Sequence, residues 1–302
     1  MGSEKRATRS IATGAVAAAA VLLPSLAAAA PAANVYYERA LMSAAGARCG
    51  LFTPAVATAL SAATAQARGA ALRSGVAITD LKQVRARASA KAAGTPCDSA
   101  DLRTAAGRVR SAFEAWSRLA KMTFPGERAP WLADRTSYRS ARWKLVQTPP
   151  RQPVATAFGY AGDLDRQALL AVADFGADQP YAARLVLRDE TRTPLPWLGS
   201  ATTRALPPRA ASRFIMAEAR DVAEPGLVPA PGKSGTAFRF PARAADALAE
   251  LDPRERFAVE FLFRGDRVKT VVFEVGDFAA GKAFLAFVPV YARQASARRS
   301  AG

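Results

Sequence analysis

Carboxylates carry most of the chemistry this 302-residue sequence could do, because it contains no histidine. Without imidazole, Ser-His-Asp and Cys-His nucleophile activation, His-ligated zinc and His-ligated haem are all excluded. Three local acidic pairs remain: Asp163 with Asp165, Asp174 with Asp178, and Asp189 with Glu190. Two carboxyls opposed across a cleft could hydrolyse a glycosidic bond. Pairs this close in sequence, set among Gly and Pro, are instead expected to form turns. Ser117 and Lys121 have i,i+4 spacing on an expected helix exterior, with no supporting context. Gly226 through Pro231-Gly232-Lys233-Ser234 approaches a phosphate loop, but the first glycine stands one residue too far away and a strand follows where a helix is required. Arg264-Gly265-Asp266 reads as a turn. No calcium-loop or cofactor motif is present, so neither a metal nor a cofactor is expected.

The two cysteines, Cys49 and Cys97, are expected to form one disulfide in an exported chain. Closing a loop of that length contributes about 4 kcal/mol through lost unfolded-state entropy. Residues 1–33 read as an export signal: Lys5, Arg6 and Arg9 precede an Ala/Val/Leu run from Ile11 to Leu26, then small residues fit for cleavage after Ala30 or Ala33. An uncleaved membrane anchor is the alternative. The expected location is periplasmic or secreted. Removing Lys5, Arg6, Arg9 and Glu4 lowers the charge from +17 to +15, so the mature chain stays basic.

Positioning these residues are two regions of different texture, which together predict an α+β protein. Residues 34–128 read as a helical bundle domain. Thr53-Pro54 opens the second helix, Thr79 the third, and Asp98 or Ser99 the fourth, whose core stripe runs Leu102, Ala106, Val109, Phe113, Trp116 and Leu119/Ala120. The disulfide would tie the end of the first helix to the start of the fourth in an up-down bundle. Many alanines make the core light, so a cross-link is what it needs. Lys82, Arg85 and Lys91 on the third helix, with Arg103, Arg110 and Lys121 on the fourth, lie off the apolar stripes. They are solvated charge or an anion-binding surface. No aromatics interleave them, so nucleic acid is not an expected partner.

Residues 129–290 read as a β-rich, sandwich-like domain with short helices. Strands are expected at 142–148, 154–159, 168–175, 182–187, 212–218, 236–240, 257–263 and 268–275. Short helices are expected at 244–251 and 278–287, so a strand–helix unit recurs. Residues 291–302 are expected to be a disordered basic tail. From Trp143 onward, the strands, Phe238-Arg239-Phe240 with its helix, and Phe257–Val275 ending in Gly276-Asp277-Phe278-Ala279-Ala280 resemble the secreted invasion-associated locus B family. Over residues 140–287 that resemblance implies a β-sandwich in an alphaproteobacterial envelope, and it carries over no catalytic residues.

The expected function is therefore a non-catalytic binding or structural role in the envelope, with another envelope protein or an acidic glycan as partner. The alternatives are a carboxylate-dependent hydrolase of envelope glycan, and a basic module held on acidic polysaccharide or peripherally on a membrane.

Overall fold

The computed structural model describes residues 26–152, 154–163, 166–199 and 205–286. Most of the expected leader and all of the expected tail lie outside these residues. Residues 26–33 form the first turns of α1 (Leu26–Cys49).

Helix α2 (Pro54–Arg73) starts as its sequence dictates, with the Thr53 hydroxyl accepting from the Val56 N–H at 3.4 Å and proline at the first helical position. Helix α3 (Ile78–Gly94) corrects one expectation: it begins at Ile78, not after Thr79, and its cap residue Ala77 supplies no side-chain bond. Ile78 is buried with Leu72 and Leu81. Burying it contributes about 1.5–3 kcal/mol, more than the ~1 kcal/mol of a threonine cap. Helix α4 (Ala100–Ser117) is capped by Ser99, whose hydroxyl accepts from the Leu102 N–H at 3.3 Å.

The expected helical region ends early. Helix α4 stops at Ser117, Leu119 is 44% exposed, and Lys121–Phe124 is strand β1, paired with β2 (Trp131–Asp134). Arg135 explains the stop. Its guanidinium donates to the Ser117 and Leu119 carbonyls at the end of α4 and stacks on the Phe284 ring, 3.7 Å from its centroid. Burial pulls its pKa down to about 10. The sheet thus starts inside the segment expected to be helical.

Strands β3 (Arg142–Gln147), β4 (Thr156–Gly162), β5 (Gln167–Ala173), β6 (Ala182–Arg188), β7 (Ser212–Met216), β8 (Ala219–Val222), β9 (Thr236–Phe240), β10 (Arg256–Leu262) and β11 (Val268–Glu274) complete two antiparallel sheets. The larger runs β1-β2-β3-β4-β5-β9-β8 and the smaller β11-β10-β6-β7. They face each other across one aromatic core in which Phe158 meets Phe257 and Phe273, and Phe238 meets Phe261. The chain changes sheet within one peptide step. The Ala217 N–H bonds to β6 at Ala183 and the next, Glu218, bonds to β9 at Arg239. Gly265 and Asp266 both have positive φ (69° and 56°) in the β10–β11 turn, where glycine and aspartate are the residues that tolerate it.

The short helices α5 (Ala242–Glu250) and α6 (Phe278–Leu285) follow β9 and β11. Helix α6 packs on β1, β2 and β3. Its Phe278 lies against Trp131, and Gly281 lets the Leu145 side chain approach.

Helix α2 then packs on α6 from outside, while also contacting α1 and α4, and α1 in turn carries α3. Ala62 of α2 belongs to the sandwich core, whereas Leu72 and Leu60 belong to two helical clusters. Cys49 and Cys97 are bonded, with Cα atoms 5.6 Å apart, joining the end of α1 to the turn before α4.

Candidate functional site

The described members of the acidic pairs are engaged in turn bonds or ion pairs. The Asp174 carboxylate accepts from the N–H groups of Gly176, Lys233 and Ser234, which hold its pKa down. Asp178 is held down by the Arg267 guanidinium, at 2.9 Å, and by Lys269. Asp189 accepts from the Thr191 hydroxyl and N–H, which lower it likewise. Its neighbour Glu190 pairs with Arg188. Asp163 accepts from the Arg166 N–H at 3.0 Å; Asp165 lies outside the described residues. Ser117 donates to the Glu114 carbonyl, and Lys121 pairs with Asp134 at 3.3 Å, so the helical Ser-Lys spacing does not exist.

The six cations of the expected anion-binding surface are all exposed, but they do not converge. Lys82 and Lys91 are nine residues apart on α3, which at about 100° per residue puts them on opposite sides of the helix. Arg103 and Arg110 share a line on α4 with Glu114, and Arg110 donates to the Leu51 carbonyl at 3.2 Å. Lys121 stands on β1, not on α4.

Sequence reasoning missed a groove of about 390 Å³ on the outer face of the larger sheet. Its floor is apolar and small: Ala161, Ala168, Leu170 and Ala237, from β4, β5 and β9. Small residues keep the sheet surface low there. On one side stand Asp163 and Arg166, between β4 and β5. The opposite wall is the segment whose sequence approaches a phosphate loop, folded back over the sheet as a 3-10 turn at Pro225–Leu227. Three contacts fix that wall. Glu224 accepts from the Ala141 N–H at 3.0 Å, the Trp143 indole donates to the Leu227 carbonyl at 3.1 Å, and Gly226 leaves room for the Arg142 guanidinium. Asp221 of β8 and Arg239 of β9 complete the rim.

The rim's charges differ in how far they are already used. Asp163 and Glu224 hold backbone, and Arg239 lies 3.5 Å from Glu218. The side chains of Arg166 and Asp221 meet no partner among the described residues. In sequence, the isolated alanines Ala161, Ala168 and Ala237 of β4, β5 and β9 are the available signal. They read equally well as core.

Among the described residues the carboxyl that burial pushes up is Asp277, and it is elsewhere: it sits between α2 and α6, bidentate to Arg73 at 2.7 and 3.1 Å. A second buried charge cluster is equally internal. Arg188 donates to Glu255 at 2.5 and 3.1 Å and to the Thr193 carbonyl, while Glu255 also accepts from the Trp197 N–H. It fastens the Pro-rich 189–199 segment to the smaller sheet. Among the described residues no helix is long and apolar enough to cross a membrane. No family model, no curated protein and no solved structure matches the chain.

Proposed function

We propose that the chain is an exported, non-catalytic binding protein of the cell envelope and that the groove on the larger sheet holds its ligand. The groove carries the reading. A small apolar floor between charged walls of hydrogen-bonded backbone is a preformed recognition surface, and its volume lies at the lower end for ligand sites. Its described carboxylates support binding over hydrolysis, since Asp163 and Glu224 are engaged by backbone N–H groups. Both cysteines of the chain lie in one disulfide, which supports an oxidising compartment. A two-sheet sandwich is also the fold implied for residues 140–287 by the resemblance to the invasion-associated locus B family, although β1 and β2 lie outside that span.

The test is amide and methyl NMR of the protein in envelope extract. Shifts should concentrate at Ala161, Ala168, Leu170 and Ala237, and Ala168→Phe, which fills the floor, should abolish them. Undisturbed groove signals, or shifts that survive Ala168→Phe, would refute the site. Turnover of envelope glycan that Asp221→Asn abolishes would replace binding by hydrolysis. A basic module held on acidic polymer remains the second reading, supported by the exposed cations of α3 and α4. Elution from the envelope by salt alone, with the groove silent, is its signature.

A further inference from the structure

Resting on that reading of the groove, we infer that its ligand is a short extended peptide with a free amino and a free carboxyl end, about four residues long. Two lining side chains of opposite sign, Arg166 and Asp221, have no partner among the described residues, and the register puts them at opposite ends of the floor. Asp221 pairs with Ala237, and Ala237 with Val172. Arg166 precedes β5 and stands six residues before Val172. At about 3.3 Å per residue and about 4.8 Å per strand, the two Cα atoms are about 20 Å apart along the strands and about 10 Å across them. An arginine side chain turned into the groove shortens this to a gap of about 14 Å. An extended tetrapeptide spans about that length at ~3.5 Å per residue.

A dipolar peptide puts an ammonium at Asp221 and a carboxylate at Arg166, compensating both charges together. Between them lies the apolar floor of Ala168, Leu170 and Ala237, and Arg239 offers N–H donors to peptide carbonyls. A neutral glycan leaves both rim charges uncompensated.

Calorimetric titration of the full chain with tetra-alanine, its N-acetylated form, its C-amidated form and the neutral glycan chitotetraose tests this. Tetra-alanine should bind, and each blocked end should weaken Kd about two- to five-fold, the range of exposed ion pairs. Asp221→Asn should erase the acetylation effect alone, and Arg166→Gln the amidation effect alone, because the sites are far apart. Neither side chain holds a structural contact among the described residues. Ala168→Phe should abolish binding. Equal binding of free and blocked peptides would overturn the inference. So would binding of chitotetraose but not tetra-alanine; that result, if lost in Ala168→Phe, leaves the groove standing as the site. Binding of neither probe overturns the peptide assignment, and the extract experiment then judges the groove separately.

Discussion

Asp277 shows how one carboxyl can join two parts of a chain. Its side chain is 2% exposed and faces Arg73, while Gly69 sits so close that an added Cβ would overlap its Oδ1. Burial pushes its pKa up and Arg73 only partly opposes this, so the native state holds the proton more tightly than the unfolded chain. Stability from this group is therefore full below the ordinary aspartate range and declines as pH rises through its raised pKa. Arg73→Ala should raise that pKa further and cost about 2–4 kcal/mol at neutral pH, less than a fully buried pair because Arg73 is 30% exposed. Melting temperatures of both proteins between pH 3 and 8 check this: the variant's deficit should shrink toward acid. Asp134, Asp174, Asp178 and Asp189 act in the opposite sense. Their pKa values are lowered, so their contribution is present above the ordinary range and is lost on acidification. Gly69→Ala should destabilise by about 1–3 kcal/mol through overpacking, measured by urea unfolding.

Elements with strong local signals are legible in the amino-acid sequence alone. The Thr53-Pro54 and Ser99 starts, the central strands and the two strand–helix units follow from caps, alternation and turn residues. Strands β1, β2 and β8, each four residues long, carry no such signal. Their identity depends on partners distant in sequence. Trp131 is held by its indole bond to the Val275 carbonyl, and Gln147 bridges the Ala129 carbonyl and the Glu274 N–H. The groove is illegible for the same reason: its alanines gain meaning only once β8 and the 3-10 turn lie beside them. Gln147→Ala should orphan two buried backbone groups, costing about 2–4 kcal/mol, and should speed amide exchange at Glu274 first. Hydrogen exchange followed by NMR is the check.

At the scale of the molecule, the helical and β-rich regions share one packing unit. Ala62 of α2 is in the sandwich core, and Trp116 of α4 meets Phe284 of α6 edge-on at 5.6 Å. Calorimetry should therefore show one unfolding transition, not two. Cys49→Ser with Cys97→Ser should lower the stability of that single transition by about 4 kcal/mol, as loop-closure entropy requires. A separate early melt of the helices would contradict the shared core.

The clasp between Arg73 and Asp277 closes over 204 positions of sequence. During synthesis α2 emerges early, but the surface it must cover is not complete until α6 has been made. The opening helices must therefore wait with apolar faces uncovered. A chain whose early helices stay unfinished until α6 arrives should reach its native packing only after most of it has been made.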